Sequence, residues 1–272
     1  IEMVRSYQTA RRVPEAVCSR IAMQGAVHQG TRLLDVGSGT GELSIFMAEH
    51  GAQVTGIDIC ESFLSVARSE SLYRASKANF VEMNANTLCF SVDRYDVVVM
   101  LQVQQWIHRY WIARGIAQVL EPDGLLFVGD TVATPHRDHP LRKLFPDAFD
   151  ECNRADSAID RLERFREQLQ LFGDPNCGLI TEDSWTASSE AQMGLAFATA
   201  LLFPRQIEAA FPNVPDPHAA LAESFDSVSA GCLSGKVTWC VTRIRKQRGY
   251  CSRRLNDCKR GEPHDDDRDK RS

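Results

Sequence analysis

The sequence lacks several features that would restrict its class. No stretch approaches the ~20 uninterrupted apolar residues that a membrane-spanning helix needs, and the first residues lack the apolar core of a secretory signal. No two of the nine cysteines form a C-x-x-C pair, and no third ligand accompanies His136 and His139 at a recognisable spacing. We therefore expect a soluble cytoplasmic protein with reduced thiols, with no metal site and no membrane partner.

Positive charge is also scarce. The chain has 272 residues, with 31 Lys and Arg against 36 Asp and Glu, and a formal net charge of −5. An acidic surface repels phosphate backbones, so nucleic acid is disfavoured as a partner, although a local basic groove would remain compatible with this charge. The length and the 43% hydrophobic content allow one large core. We expect one domain with an insertion, as a monomer or a homodimer.

Strands and helices alternate between Leu33 and Val132, which predicts βαβ units and a parallel sheet. The predicted strands are 32–36, 53–57, 79–83, 96–101 and 125–128, and the predicted helices are 41–49, 61–75 and 110–120. Residues 97–100 read Val-Val-Val-Met. An apolar run without alternation is typical of a strand covered on both faces, so this strand is predicted to be central.

The character of the sequence changes after Thr134, where prolines interrupt the chain. A polar helical stretch at 156–171 predicts an inserted cap. Further helices are predicted at 188–203 and 217–228, and residues 236–244 alternate like a late strand near a sheet edge. The predicted divisions are an N-terminal helical segment 1–30, a cofactor-binding core 31–134, a cap 135–184, C-terminal helices and strands 185–245, and a tail 246–272 that is predicted to be disordered.

The strongest chemical signal is the segment 33–41, Leu-Leu-Asp-Val-Gly-Ser-Gly-Thr-Gly. Glycines allow positive φ and a close backbone approach to a ligand, and such a turn aims free N–H groups beyond the end of the strand. A tight turn without a ligand is the alternative. The G-x-G-x-G spacing after Asp35 differs from the G-x-G-x-x-G dinucleotide fingerprint. It therefore favours S-adenosylmethionine over NAD.

This segment resembles the first motif of the class I S-adenosylmethionine-dependent methyltransferases. The resemblance extends over about residues 7–132 and is to the methyltransferase type 11, trans-aconitate-methyltransferase-like branch. It implies an α/β Rossmann-like fold: a mostly parallel seven-stranded sheet with an antiparallel late strand, helices on both faces and a helical cap insertion. It also implies S-adenosylmethionine as cofactor, S-adenosylhomocysteine as product and a small-molecule methyl acceptor.

Two further strand ends carry candidate cofactor contacts. Asp58 ends the second strand, where a carboxylate can accept both ribose hydroxyl hydrogens; a helix-capping Asp is the alternative. The resemblance places the adenine contact at Asn84 and Ala85, where the family commonly has Asp. An Asn can accept from the adenine amino group through its side-chain oxygen, although an ordinary loop Asn would look the same.

The segment 101–106 follows the central strand and is expected to border both ligands, because ligands bind beyond the carboxyl ends of parallel strands. Leu101 and Gln102 are assigned to the cofactor, and Gln105 and Trp106 to the substrate. In relatives the residue before this Trp is often His, which could act as a base. Here that residue is Gln105, which cannot, so His108 becomes the candidate catalytic base. A core aromatic is the alternative for Trp106.

The resemblance also implies that the N-terminal segment folds over the cofactor, with Tyr7 and Arg11 reaching its methionine end; surface charge is the alternative. The complete candidate cofactor set is Tyr7, Arg11, Asp35, Gly37, Ser38, Gly39, Gly41, Asp58, Ile59, Asn84, Ala85, Leu101 and Gln102. An NAD-type oxidoreductase and a non-catalytic cofactor-binding module remain as alternatives. The acceptor atom, whether oxygen, carboxylate, nitrogen or carbon, is left open.

Overall fold

The computed structural model describes Val4, residues 13–90, 94–144, Leu162, and residues 172–183, 204–226 and 235–246. The strands are β1 Arg32–Val36, β2 Gln53–Asp58, β3 Asn79–Glu82, β4 Tyr95–Leu101, β5 Leu120–Pro135, β6 Phe172–Asp183 and β7 Gly235–Lys246. The helices are α1 Glu15–Gln24, α2 Glu42–Glu49, α3 Glu61–Tyr73, α4 Arg109–Val119, α5 Pro140–Leu144, α6 Pro204–Ala210 and α7 Pro217–Asp226, with short 3₁₀ helices at Ala85–Phe90 and Gln104–Trp106.

The described strands form one seven-stranded sheet in the order β3-β2-β1-β4-β5-β7-β6. The pairs from β3 through β5 are parallel, and β7 runs antiparallel to both β5 and β6. The predicted Rossmann-like sheet with an antiparallel late strand is therefore confirmed. The alternation of β7 indicated a position near an edge, and β7 lies one strand in from the edge formed by β6.

The sheet is covered on both faces, as the apolar run in β4 predicts. Val97 and Val99 pack in one cluster with the buried residues of α1 and with Leu43 and Met47 of α2. Val98 and Met100 pack in another with Ile112 and Ile116 of α4. Since successive side chains of a strand point to opposite faces, the two clusters lie on opposite sides of the sheet, and β4 is the central strand of the seven.

Strand β5 is longer than the predicted strand 125–128. Its register with β4 shifts between the Tyr95–Leu120 pair and the Val97–Leu125 pair. The predicted turn at 121–124 is therefore present as an irregularity within β5, in which Asp123 has φ +66°. Beyond Val128, β5 continues to Pro135 because it pairs there with β7. Such a partner, about a hundred residues later in the chain, leaves no signal in the local sequence.

The predicted cap segment 135–184 contains a strand of the main sheet, β6. The last part of that segment is therefore sheet rather than cap. Helix α7 agrees with the predicted helix 217–228. Lys246, the first residue of the tail 246–272 that was predicted to be disordered, is instead the last residue of β7. The predictions for 156–171 apart from Leu162, for 188–203, for 247–272 and for Tyr7 and Arg11 lie outside the described residues. None of the helices in the described part of the chain is long and apolar enough to cross a bilayer.

Lys246 joins the end of β7 to the end of α4. Its ammonium group donates to the backbone carbonyls of Ala117, at 2.7 Å, and of Leu120, which satisfies acceptors that a helix end leaves without intrahelical partners. Burial lowers the pKa of this lysine. The charge of Arg94 lowers that pKa further, and the charge of Glu121 opposes both effects.

Candidate functional site

The glycine turn between β1 and α2 is held in a conformation that suits glycine. Gly37, Gly39 and Gly41 have φ values of +74°, +54° and +88°. A Cβ atom on Gly37 would lie 2.5 Å from Cγ2 of Val103, and one on Gly41 would lie 2.8 Å from Cζ of Phe80, but one on Gly39 would meet nothing within 4 Å. Gly37 and Gly41 are therefore constrained by packing, and Gly39 borders open space.

That open space is a cleft of about 600 Å³ at the carboxyl ends of β1, β2, β3 and β4. Pockets of a few hundred to a thousand Å³ are the size that binds small molecules and cofactors. The side chains of Ile59 and Trp106 lie on its wall and remain 68% and 60% exposed. Trp106 is therefore not a core aromatic, and two large apolar groups at the cleft are accessible to a ligand.

Asp58 connects the end of β2 to the glycine turn. Its Oδ2 accepts the backbone N–H of Gly39 at 2.9 Å, and its Oδ1 accepts that of Cys60 at 2.9 Å. Each carboxylate oxygen has a second lone pair, so both can accept a further hydrogen bond from a ligand hydroxyl. The carboxylate is thus positioned at the cleft by the backbone on both sides of it.

Asp35, at the end of β1, also lies on the wall of the cleft but is buried, with 3% exposure. Its Oδ2 accepts a 2.7 Å hydrogen bond from the hydroxyl of Ser44 in α2. Burial raises the pKa of Asp35 to about 7, and the charges of Asp58 and Glu42 add to the shift, against the opposing hydrogen bond from Ser44. Asp35 therefore ionises near neutral pH.

Carboxylates dominate the charge of the cleft. Asp35, Glu42 and Asp58 line it, and no Lys, Arg or His stands among the described lining residues. Because clefts with low-dielectric walls concentrate the field of such charges, this site favours a ligand group with positive charge, such as an ammonium or a sulfonium.

The far wall of the cleft is formed by the segments that follow β3 and β4. Asn84, Ala85 and Asn86 lie on one, and Gln102, Val103, Trp106 and Ile107 on the other. Oδ1 of Asn84 accepts the N–H of Asn86 at 3.0 Å, which leaves its amide N–H₂ group to donate and a lone pair on Oδ1 to accept. Gln102, with φ +56°, is held by its N–H to the Gly129 carbonyl at 2.8 Å.

The structure brings most of the predicted site residues together. Those on the wall of the cleft are Asp35, Gly37, Ser38, Gly39, Asp58, Ile59, Asn84, Ala85, Leu101, Gln102 and Trp106. Gly41 is not among the described lining residues; it is the N-cap residue before α2, and it packs against Phe80 and Ala67. Tyr7 and Arg11 lie outside the described residues.

Gln105, predicted to bind the substrate, and His108, the predicted base, are not among the described residues that line the cleft. Gln105 belongs to the 3₁₀ helix Gln104–Trp106 beside the cleft. His108 is exposed and precedes α4. Its backbone N–H donates to Oδ1 of Asn86 at 3.0 Å. The role of His108 as a base therefore stays a prediction that needs a movement or a bound acceptor to bring it into reach.

Several lining residues escaped the sequence prediction, among them Glu42, Cys60, Phe63 and Asn86. Glu42 carried one usable signal, because it directly follows the third glycine and begins a helix, where an acidic residue complements the helix dipole. Asn86 had only its position two residues after Asn84. Phe63 lies in a helical apolar pattern and looks like a core residue.

Part of the chain is similar in sequence to known methyltransferases. Residues 34–128 match the family model of a methyltransferase domain. The ubiquinone biosynthesis O-methyltransferase of Aeromonas salmonicida is 34% identical over 108 residues, which are 39% of this chain and 45% of that protein. The Xanthomonas campestris pv. campestris protein of the same name is 34% identical over 121 residues, 44% of this chain and 48% of that protein. The chain spans about half the length of these curated relatives.

Solved structures share the fold. The YcgJ protein of Bacillus subtilis superimposes with a TM-score of 0.58 at 16% identity, over 87% of this chain and 100% of that one. A SAM-dependent methyltransferase from Thiobacillus denitrificans, solved with S-adenosyl-L-homocysteine, gives 0.52 at 21% identity, over 89% and 97%. The sheet order and these matches show that the chain has the Rossmann-like fold of these structures, and residues 34–128 are similar to a methyltransferase domain.

Proposed function

We propose that the protein is an S-adenosylmethionine-dependent methyltransferase that acts on a small molecule. The observation that carries this proposal is the cleft at the ends of β1 and β2, where the open backbone of Gly39 faces it beside the carboxylate of Asp58. The match of residues 34–128 to a methyltransferase domain supports it. The acidic wall also favours a small acceptor over a nucleic acid, and we propose a cytoplasmic location.

The residues of the cleft fit the cofactor. Asp58 is suited to the ribose hydroxyls, the exposed Ile59 to one face of the adenine, and Asn84 with Ala85 to its edge. The glycine turn and Asp35 remain for the charged methionine end. Ser38 supports a polar ligand here, since its buried hydroxyl oxygen has no hydrogen-bond partner among the described residues and buried polar groups normally have one.

When bound, the cofactor supplies a methyl group on a positively charged sulfur. What this chain contributes is alignment: the glycine turn and Asp58 orient the nucleoside, and Trp106 and Ile107 present an apolar wall to the acceptor. Alignment of two reactants can lower a barrier by ~7 kcal/mol or more. A base is needed only where the acceptor must lose a proton; His108 is then the nearest predicted group, and the acceptor atom stays open.

A binding experiment tests the cofactor assignment. S-adenosylhomocysteine should raise the melting temperature of the full chain, because it binds the folded state only, and NAD at the same concentration should not. No shift at millimolar S-adenosylhomocysteine would overturn the proposal. A shift with NAD alone would overturn it in favour of an oxidoreductase.

A turnover experiment separates an enzyme from a binding module. The chain is incubated with methyl-labelled S-adenosylmethionine and a small-molecule extract, and the labelled products are identified by mass spectrometry. We expect labelled product with the wild-type chain and much less with Asp58→Asn. Cofactor binding without any labelled product across broad acceptor panels would favour the binding module.

A further inference from the structure

The side chain of Asn86 joins the two segments of the far wall. Its Oδ1 accepts a hydrogen bond of 3.0 Å from the backbone N–H of His108, 22 residues later in the chain. Trp106 and Ile107, directly before His108, line the cleft, and so does Asn86 itself. The bond therefore ties the segment that follows β3 to the segment that follows β4.

The other end of this connection lies where the adenine is assigned. The N–H of Asn86 donates to Oδ1 of Asn84 at 3.0 Å. The carbonyl of Asn84 accepts the N–H of Thr87 at 2.9 Å and its hydroxyl at 2.7 Å. Local bonds of this kind from side chain to backbone close a tight turn. A ligand that contacts Asn84 and Ala85 thus acts on a turn that also contains Asn86.

We propose that Asn86 is a positioning residue through which cofactor binding orders the acceptor wall. The inference rests on the proposed function, since it needs a nucleoside against Asn84 and Ala85. When that contact immobilises the turn, Oδ1 of Asn86 holds the N–H of His108, and the preceding Trp106 and Ile107 are held with it. The coupling is reciprocal, so an ordered acceptor wall also tightens cofactor binding.

The chemistry gives this connection its importance. Methyl transfer depends on the relative placement of donor and acceptor, and the two are assigned to segments that belong to different βαβ units. A wall that moves independently of the bound cofactor would lose part of that alignment. A single hydrogen bond is worth about 1 kcal/mol, which corresponds to about a fivefold change in an equilibrium constant.

Hydrogen exchange of the full chain, followed by mass spectrometry with and without S-adenosylhomocysteine, tests the inference in two windows. Residues 84–90 report the turn and residues 104–112 report the acceptor wall. In the wild type the ligand should slow exchange in both. In Asn86→Leu, which keeps the size but removes the oxygen, the slowing should persist in 84–90 and fall about fivefold in 104–112.

Two further variants separate positioning from general damage. Asn86→Asp keeps an acceptor oxygen for the His108 N–H and should restore the ligand-dependent slowing in 104–112. Thr87→Val removes the hydroxyl bond to Asn84 in the same turn but does not touch His108, so it should retain the wild-type slowing there.

The outcomes are distinct. Equal ligand-dependent slowing of 104–112 in the wild type and Asn86→Leu would overturn the inference and leave the cofactor assignment intact. Slowing confined to 84–90 in the wild type would do the same. Absence of any slowing in the wild type, together with absence of binding, would overturn the proposed function and this inference with it.

Discussion

The carboxylates at the two ends of the sheet differ in their hydrogen-bond and ion-pair partners. At the amino ends of β1 and β4, Arg32 donates to Asp96 at 2.9 Å and to Glu121 at 3.0 Å. At the carboxyl ends, Asp35 and Asp58 accept only from hydroxyl and backbone N–H groups among the contacts that the structure records. The carboxylates at the amino ends are paired with Arg32, whereas those at the carboxyl ends have no cationic partner among the described lining residues and remain accessible to a ligand.

The pKa values follow the same contrast. Burial acts to raise the pKa of Asp96, but the hydrogen bonds and charge of Arg32 outweigh it and lower that pKa below its ordinary value. For Asp35, burial dominates and raises the pKa to about 7. The difference indicates that a carboxylate in the cleft is held at some cost to folding, as expected of a binding site rather than a structural one.

The largest expected effect is the pH dependence that Asp35 contributes. Its pKa is raised on folding from 3.8 to about 7, so below about pH 4 it is protonated in both states and costs nothing. Between pH 4 and 7 the unfolded state ionises first, and stability falls as pH rises. The full cost, on the order of 4 kcal/mol, is present above pH 7.

Asp35→Asn, which resembles the protonated acid in shape, should remove most of this slope. The measurement is the free energy of unfolding by urea at intervals from pH 4 to 8. Glu82→Gln, an exposed carboxylate at the end of β3, is the control and should leave the slope unchanged. A slope that is equally steep in Asp35→Asn would contradict the assignment of the pH dependence to this residue.

How far the sequence predicts this molecule depends on how local each signal is. The parallel strands β1 to β4 and the glycine turn were predicted because apolar runs and glycine spacing report local structure directly. The extension of β5 and the existence of β6 were missed, since both depend on pairing with β7, far away in the chain.

The site shows the same limit. Asp58, at the end of β2, and Trp106, five residues after the end of β4, were predicted to lie near the cleft because the carboxyl ends of parallel strands meet at one edge of a sheet. Asn86 was missed because its importance comes from its contact with the backbone of His108, which only the folded chain creates. The same contact holds the backbone of His108, the predicted base that follows the segment 101–106.

A pair of glycine variants sharpens the contrast between packing and binding within the cleft end. Gly37→Ala adds strain at φ +74° and places a Cβ 2.5 Å from Val103, so a loss of about 2–4 kcal/mol of folding free energy is expected. Gly39→Ala has similar strain but open space around the new Cβ, so about 1–2 kcal/mol is expected.

Urea denaturation and calorimetry with S-adenosylhomocysteine are the measurements. Gly39→Ala should lose more ligand affinity than its small loss of stability suggests, because the added methyl group enters the cleft. If Gly39→Ala bound the ligand as the wild type does, the placement of the cofactor against this backbone would be wrong.

Asp58→Asn should weaken S-adenosylhomocysteine binding by about 1.5–3 kcal/mol, or roughly 10- to 150-fold, through loss of charge-assisted hydrogen bonds. Titration calorimetry measures the affinity, and urea denaturation confirms that the variant is folded. The same Asp to Asn change at the other end of the sheet, Asp96→Asn, is the matched control and should leave the affinity unchanged. An unaltered affinity in Asp58→Asn would exclude the ribose role.

The smallest expected effect belongs to that control itself. Asp96→Asn weakens the salt bridge to Arg32. Both side chains of this bridge are about 40% exposed, and exposed salt bridges contribute little because water and salt screen them. We expect at most about 1 kcal/mol of lost stability, diminishing further in 1 M salt. Urea denaturation at low and high salt measures it. A large loss that salt does not reduce would show that the amino end is as constrained as the cleft, and the contrast between the two ends would then fail.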